Sequence, residues 1–435
     1  MLKPIHCRNR LIVLFIPVAV VLAACGGSRG TPTDESQPRT LAPSSSKTSP
    51  ATVTAAVKNA TPRAASSEPA VVTETSPVAS PASPTTREPS ETPTAESLVA
   101  FMVEMVATGL EIPWDMSFLP DGRIFLTERP GHVRLIENGK LDPTPVATIE
   151  DVLPLAEGGL LGIAGDPGFE TNHWIYLYYT HQTANGPRNQ VVRYTESDNR
   201  LHDAKVVIGG VPAATNHDGG RIRFGPDGKL YITTGDALSP ALAQDKTSLA
   251  GKILRVNADG SIPPDNPFPN SPVYSYGHRN PEGLAWQPGS NQLYETEHGN
   301  VAHDEVNRIL PGHNYGWPEM QGDNGAREGF TGPVIESGAD ATWAPAGATF
   351  VQGDTFPQWT GHLLFASLRG TTLWDLDLND SDKPELKSIV TGTYGRLRAV
   401  SQAPDGTLYL LTNNRDGRGQ PQPDDDRVLR IVPAD

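Results

Sequence analysis

Alternating apolar and polar residues follow a Pro-Asp-Gly turn at three places: FLPDGRIFLTER (118–129), FGPDGKLYITTGD (224–236) and QAPDGTLYLLTNN (402–414). Proline presets φ, aspartate bonds its own backbone and glycine accepts a positive φ, so each turn leads into a strand. Weaker copies occur at DPGFETNHWIYLYYT (166–180), QPGSNQLYETEHG (287–299) and FPQWTGHLLFASLRG (356–370). The chain therefore contains six copies of one turn-and-strand unit.

The spacing of these units is typical of a β-propeller. Successive prolines are 47, 59, 62, 69 and 47 residues apart; they are Pro120, Pro167, Pro226, Pro288, Pro357 and Pro404. Repeats of this length hold several strands each, and no segment has a sustained helical period. We predict an all-β domain over residues 98–435, a six-bladed β-propeller. A large sandwich and a β-helix fit the repeat length less well.

The N-terminal segment carries a targeting pattern. Lys3, Arg8 and Arg10 precede an apolar run at 11–23, which is too short to span a bilayer comfortably and is typical of a signal peptide. The run ends in L-A-A-C-G, which resembles a bacterial lipoprotein signal. We predict a lipoprotein signal peptide at 1–25, with a lipid on Cys25 that anchors the exported protein to the extracytoplasmic face of the cell membrane. An ordinary secretory signal is the alternative.

Residues 26–97 are rich in Ser, Thr, Pro and Ala and contain no Phe, Trp or Tyr. Such a segment cannot bury enough apolar surface to offset the entropy of the chain. We predict a disordered tether between the signal and the propeller.

The net charge and the cysteine content exclude several classes of partner and site. The formal net charge of −15 argues against nucleic-acid binding, which requires clustered lysine and arginine. Both cysteines, Cys7 and Cys25, lie within the first 25 residues. The predicted propeller therefore has no disulfide, no thiolate-bound metal and no cysteine nucleophile.

Three loop motifs contain groups suited to catalysis or ligand binding. In A-E-G-G-L-L-G (156–162), Glu157 precedes two glycines, which also fits a simple bend. In N-H-D-G-G-R (216–221), His217 is a candidate general base, or a structural histidine that bonds a loop carbonyl. In Y-G-H-R-N-P-E-G-L (276–284), Arg279 offers a planar fork to carboxylate or quinone oxygens, or bridges two blades.

Two further motifs indicate ion binding. T-E-H-G-N-V-A-H-D-E-V-N (296–307) places Asp304 and Glu305 among loop carbonyls, an oxygen-rich set that favours Ca²⁺ over a transition metal. In G-R-L-R (395–398), Arg396 and Arg398 share one face if the segment is extended. They indicate an anionic partner or salt bridges to nearby carboxylates.

Together these motifs resemble the pyrroloquinoline quinone (PQQ)-dependent soluble aldose sugar dehydrogenases, the soluble glucose dehydrogenase family of six-bladed propellers. The resemblance covers residues 104–433 in order, and rests on the co-occurrence of G-G-L-L-G, N-H-D-G-G-R, G-H-R-N-P-E-G-L, E-H-G, D-E-V-N and N-Y-G-W-P (314–318). It implies oxidation of an aldose sugar at its anomeric carbon to a lactone, with an electron acceptor that the sequence does not identify.

The resemblance also implies roles for single residues. His217 matches the base that takes the anomeric proton as hydride passes to the quinone, and Arg279 lies near the reducible carbonyl. The positions that match cofactor contacts are Glu157, Arg279, Asn280, Trp343, Arg369, Arg396 and Arg398.

Calcium ligands follow from the same resemblance. Gly299 and Asn300 match backbone ligands of a calcium ion that bridges to the cofactor, and Glu305 and Tyr315 match a calcium site of the bacterial enzymes. Two positions depart from the family, because Glu157 replaces a usual Gln and Asn300 a usual Pro. Glu157 is then protonated, faces the calcium, or weakens cofactor binding.

Two other functions fit the same residues. One is a non-catalytic surface propeller that binds carbohydrate or protein. The other is a calcium-dependent, lactonase-type hydrolase.

Overall fold

Six antiparallel sheets contain nearly all of the regular structure in the computed structural model, which describes residues 99–322, 327–379 and 383–434. This architecture confirms the predicted all-β, six-bladed propeller. The predicted signal peptide, Cys25 and the tether lie outside the described residues. Within the described part of the chain, no helix is long and apolar enough to cross a membrane.

The elements have the following bounds. The strands are β1 (Phe101–Ala107), β2 (Pro113–Phe118), β3 (Ile124–Glu128), β4 (His132–Glu137), β5 (Lys140–Leu141), β6 (Ala147–Thr148), β7 (Leu160–Gly165), β8 (Trp174–Thr183), β9 (Gly186–Ser197), β10 (Arg200–Pro212), β11 (Ile222–Phe224), β12 (Leu230–Thr234), β13 (Lys252–Val256), β14 (Val273–Tyr276), β15 (Pro281–Trp286), β16 (Leu293–Glu297), β17 (Glu305–Ile309), β18 (Ile335–Glu336), β19 (Pro345–Phe350), β20 (Leu363–Ser367), β21 (Thr372–Asp377), β22 (Glu385–Thr391), β23 (Leu397–Gln402), β24 (Leu408–Thr412) and β25 (Val428–Pro433). Short helical turns are α1 (Phe169–Asn172), α2 (Ala241–Gln244) and a 3₁₀ turn (Pro357–Trp359).

The blades follow chain order. Blade 1 contains β2–β6, blade 2 β7–β10, blade 3 β11–β14, blade 4 β15–β18 and blade 5 β19–β22. Blade 6 contains β23–β25 and takes β1 as its outermost strand, with Phe101 opposite Pro433 and Met105 opposite Leu429. The first strand of the propeller thus closes the ring onto the last.

The repeated turn has one position in every blade. All six prolines of the repeat lie between the first and second strands of a blade. In three of the turns the aspartate carboxylate accepts the N–H two residues on, at 3.0 Å for Asp121, 3.1 Å for Asp227 and 3.0 Å for Asp405. The repeated turn therefore joins the first two strands of each blade, and in three blades it has the sequence Pro-Asp-Gly.

Apolar side chains are buried mainly between neighbouring blades. One cluster joins Leu119 and Phe125 of blade 1 to Leu160 and Ile175 of blade 2. The centre of the ring is polar instead: the buried Asp115 carboxylate accepts bonds from both terminal nitrogens of Arg223 at 2.7 Å and lies 2.5 Å from Arg221. These ion pairs join the innermost strands of blades 1 and 3, so the channel walls are fixed in position.

Candidate functional site

The predicted site residues lie at one mouth of the channel, where the innermost strands β2, β7, β11, β15, β19 and β23 begin. Four of them lie one or two residues before such a strand, namely Arg279, Asn280, Trp343 and Arg396, and His217 lies five residues before β11. Glu157 lies three residues before β7. Gly299 and Asn300 join β16 to β17 and Arg369 joins β20 to β21, connections that reach the same mouth because neighbouring strands are antiparallel. We call this end of the channel the entry mouth.

His217 is held by a buried carboxylate. Its Nδ1 lies 2.7 Å from Asp236 Oδ1, which also accepts the Leu238 N–H at 2.9 Å, while Oδ2 accepts the Trp317 indole N–H at 2.8 Å. Asp236 is fully buried and its oxygens face only donors, so Nδ1 carries the proton. Nε2 then presents its lone pair, and it has no hydrogen-bond partner among the described residues.

The backbone around His217 is strained and closely packed. His217 has φ +64°, the left-handed region that non-glycine residues rarely occupy. A Cβ on Gly235 would lie 2.0 Å from the His217 carbonyl oxygen, so only glycine allows this approach. Strain of this kind persists where the surrounding structure imposes it, which is common at functional sites.

Glu157 is ionised and neutralised locally. Its Oε1 accepts bonds from Asn216 Nδ2 and an Arg418 terminal nitrogen, both at 2.6 Å, and its Oε2 accepts the His217 N–H at 3.0 Å. Burial would raise the pKa of Glu157, but the His217 N–H and the Arg418 charge outweigh it and lower the pKa to about 2. Of the alternatives drawn from the sequence, a protonated Glu157 is therefore wrong at neutral pH.

Arg279 and Asn280 are buried beside His217. Asn280 accepts the Gly219 N–H at 3.0 Å and donates to Glu282 at 3.1 Å, which ties the two loops together. Arg279 donates to the His298 carbonyl at 3.2 Å, and its guanidinium carbon lies 5.3 Å from the centre of the Trp317 ring. Its Nε is buried without a hydrogen-bond partner in the described structure, and burial lowers the Arg279 pKa. An unpaired buried donor is costly unless a ligand accepts it.

Arg396 and Arg398 both reach carboxylates. Arg396 donates from Nε and one terminal nitrogen to Asp416 Oδ2, at 3.2 and 2.7 Å, and its other terminal nitrogen has no partner among the described residues. Arg398 is paired with Glu282 and also bonds the Asn413 amide oxygen, at 2.8 and 3.1 Å, when that amide is oriented to face it. Arg396 therefore keeps a free donor for a ligand, whereas Arg398 is engaged at all three nitrogens.

A cavity of about 400 Å³ opens beside these arginines. Arg369, Arg396 and Arg418 are among its lining residues, and Arg369 is exposed. The volume lies in the range of small-ligand pockets. Trp343 is buried nearby in the chain before β19, and its carbonyl accepts the Arg369 N–H at 3.1 Å. The cationic lining favours an anionic ligand.

The loop of Gly299 and Asn300 is shaped by Asp304. One Asp304 oxygen accepts the Gly299 N–H at 2.8 Å, and the other accepts Thr342 Oγ1 and the Trp343 and Ala344 N–H groups at 2.6–2.8 Å. The Asp304 carboxylate is thus used in positioning this loop, although the sequence suggested it as a calcium ligand. Backbone carbonyls remain as the oxygens that the loop offers.

Glu305 lies in a second, buried acidic cluster. Its oxygens accept the Gly322 N–H at 2.7 Å and Asn307 Nδ2 at 3.0 Å, and burial followed by the Glu297 charge raises the pKa of Glu305 to about 8. Burial also raises the pKa of Glu295, whose Oε2, like Asn307 Oδ1, has no hydrogen-bond partner in the described structure. This excess of buried carboxylate oxygens fits a cation.

Tyr315 borders the same cluster. Its ring stacks on His278 at 4.7 Å, and its hydroxyl donates to the Arg308 carbonyl at 2.7 Å and accepts the Leu310 N–H at 2.8 Å. The phenol is therefore occupied in the fold. The backbone carbonyl is the oxygen that Tyr315 could offer to a metal.

Sequence reasoning missed several residues of the entry mouth. Asp236 holds His217 and Trp317 donates to Asp236, Asp416 and Glu282 pair with arginines, and Arg418 neutralises Glu157. Asp236 ends the repeated strand unit T-T-G-D (233–236), so its position just after β12 was the one available signal. The other contacts join distant segments and leave no local pattern.

Comparison with known proteins agrees with this geometry. Residues 110–421 match the glucose / sorbosone dehydrogenase family. Among curated relatives, aldose sugar dehydrogenase YliI of Escherichia coli is 34% identical over 338 residues, which cover 72% of this chain and 91% of that protein.

Solved structures give the same result. The PQQ-bound aldose sugar dehydrogenase of Streptomyces coelicolor is 38% identical, with a TM-score of 0.70 over 77% of this chain and 98% of that one. A putative oxidoreductase (glucose dehydrogenase) of Thermus thermophilus is 43% identical, with a TM-score of 0.70 over 77% of this chain and all of that one.

Proposed function

Because the chain belongs to the glucose / sorbosone dehydrogenase family, we propose that it is a PQQ- and calcium-dependent dehydrogenase that oxidises aldose sugars to lactones. The observation that carries the proposal is the His217–Asp236 pair at the entry mouth, together with the unpaired Nε of Arg279 and the arginine-lined cavity. Oxidation of sugars is supported by the family as a whole. The calcium requirement, the base and the lactone product are specific to this proposal.

The entry mouth fits a tricarboxylate quinone such as PQQ. Arg279 Nε is buried without an acceptor, and Arg396 keeps a terminal nitrogen free beside the cavity. The residues that would hold the cofactor are Arg279, Asn280, Trp343, Arg369, Arg396 and Arg398. When bound, PQQ would supply the two-electron acceptor that the polypeptide lacks.

The chain's own residues would move the proton and stabilise charge. His217 Nε2, with its lone pair exposed by the Nδ1–Asp236 bond, would accept the proton of the anomeric hydroxyl. The buried Asp236 carboxylate would stabilise the imidazolium that forms. Arg279, held by the His298 carbonyl and with its guanidinium over the Trp317 ring, would donate to the oxygen on which negative charge develops.

Calcium has two proposed positions. Carbonyls of the Gly299–Asn300 loop would bind one ion next to the cofactor, and the Glu305–Tyr315 region would bind another. The partnerless oxygens of Glu295 and Asn307 support the second position, because a cation there would compensate buried negative charge. Oxygen ligands of this kind suit Ca²⁺.

The location of the protein in the cell is proposed from the sequence. A lipid on Cys25 and the tether at 26–97 would hold the propeller outside the cytoplasmic membrane, where sugar and an unidentified electron acceptor are both accessible. Replacement of Cys25 by Ser should move the protein from the membrane fraction to the soluble fraction.

Reconstitution tests the function directly. Purified protein loaded with PQQ and Ca²⁺ should reduce an artificial dye when an aldose is added, with rates that saturate in PQQ. A chain that binds PQQ yet reduces no dye with any common aldose would contradict the proposal. Hydrolysis of a lactone with Ca²⁺ and no quinone would favour a hydrolase instead.

A further inference from the structure

Among the arginines of the entry mouth, Arg129 and the exposed Arg369 have guanidinium groups without a partner in the described structure, and Arg129 is the less exposed of the two. Arg396 is paired with Asp416, Arg398 with Glu282, and Arg418 with Glu157. The Arg129 guanidinium makes no hydrogen bond or ion pair within the described residues, although the residue is only partly exposed.

The backbone and stem of Arg129 are fixed. Its N–H donates to the Ile112 carbonyl at 3.0 Å, and its carbonyl accepts the Leu160 N–H at 2.9 Å. A Cβ on Gly159 would lie 2.4 Å from the Arg129 carbonyl oxygen and 2.7 Å from its Cγ, so the second glycine of A-E-G-G makes room for this side chain. The position of Arg129 is therefore imposed by the loops around it.

Nearby carboxylates are already used. Glu128, the preceding residue, bonds the Glu111 N–H at 2.7 Å and Arg134 at 3.1 Å. Glu157 and Asp416 are close enough to act electrostatically on Arg129, but each bonds another arginine. Burial, and next the charge of Arg398, lowers the pKa of Arg129. Asp416, Glu282 and Glu157 each pair with another arginine, so no ion pair among the described residues neutralises Arg129.

We propose that Arg129 is a carboxylate-binding residue of the entry mouth, which holds a carboxylate of the bound ligand. A guanidinium fork on a positioned stem binds a carboxylate through two parallel hydrogen bonds, and an unpaired fork beside other cations gains the most from doing so. The inference rests on the proposed function, because two carboxylates fit that chemistry. One belongs to PQQ and the other to an acidic sugar such as glucuronate.

Calorimetry on the purified protein tests the proposal, with PQQ and glucuronate titrated separately into wild type and variants. Arg129→Gln should weaken binding of one of these two ligands by roughly ten- to a hundredfold, the loss expected for a charge-assisted hydrogen bond. Arg129→Lys keeps the charge but not the fork, so its affinity for that ligand should lie between those of wild type and Arg129→Gln. Arg200→Gln removes an exposed arginine of the β9–β10 hairpin and serves as the matched control.

The possible results distinguish PQQ from glucuronate as the ligand of Arg129, and they distinguish failure of this inference from failure of the proposed function. Weaker PQQ binding assigns Arg129 to the cofactor, and weaker glucuronate binding with unchanged PQQ binding assigns it to the substrate. Unchanged affinity for both in a folded Arg129→Gln protein would overturn the inference. A wild-type protein that binds no PQQ would count against the proposed function, and the glucuronate titration would then decide the role of Arg129. Wild-type protein that binds neither ligand would overturn the inference.

Discussion

Replacing Asp236 by Asn should slow the proposed reaction without removing the cofactor. The carboxylate is fully buried and accepts three donors, including His217 Nδ1 at 2.7 Å. When His217 takes a proton, the imidazolium and this carboxylate have charge centres about 4 Å apart, which gives about 4 kcal/mol at an effective dielectric constant of 20. If half or more of this stabilisation is present in the transition state, kcat should fall by about 30- to 1000-fold.

The amide also leaves one of the three donors unpaired, which should lower the free energy of unfolding by about 1–3 kcal/mol. The assay is dye reduction at saturating aldose across a pH series, with PQQ affinity and unfolding measured on the same preparations. Asp375→Asn is the matched control, because the Asp375 carboxylate lies 2.8 Å from His362 Nδ1 in a similar pair that is far from the entry mouth. It should lower stability and leave kcat unchanged. An Asp236→Asn enzyme that keeps kcat within about threefold of wild type would refute the role given to this pair.

Three further predictions concern charge at and near the site. Glu157→Gln removes an ionised carboxylate and releases Arg418, so calorimetry should show PQQ binding tighter by about three- to tenfold; equal or weaker binding would be contrary to this reasoning. Burial raises the pKa of Asp218 to about 7, so the folded state keeps a proton that the unfolded state loses, and stability should fall between about pH 4 and pH 7. In urea unfolding measured across this pH range, Asp218→Asn should reduce the fall in the free energy of unfolding by at most about 4 kcal/mol. An unchanged dependence of that free energy on pH would exclude Asp218 as the cause. Calcium added to chelator-treated protein should raise Tm by a few degrees, and Glu305→Gln should remove part of that gain, whereas identical gains in both proteins would place the ion elsewhere.

Residues with local patterns were predictable from the sequence. The Pro-Asp-Gly turn depends on three adjacent residues, and its three copies together with three weaker ones gave the blade number correctly. His217 and Arg279 lie in short polar motifs just before strands, so the sequence identified them as candidates. Their place at one mouth follows from the alternation of strands in a propeller.

Residues that act through distant partners were not predictable. Asp236 lies 19 residues from His217, and Arg418 lies 261 residues from Glu157, so neither pair falls within one short sequence motif. The charge state of Glu157 depends on Arg418 and therefore could not be decided from the sequence. Arg129 has an ordinary sequence context, and its importance appears only because the surrounding carboxylates bind other arginines.

A single turnover tests the central claim most directly. Protein loaded with PQQ and Ca²⁺ is mixed anaerobically with an aldose and no electron acceptor, and the sugar products are separated and quantified. Wild type should form about one lactone per bound cofactor, and His217→Ala, with the cofactor still bound, should form it at a rate at least about a hundredfold lower. Wild-type protein that binds PQQ but forms no lactone would contradict the claim.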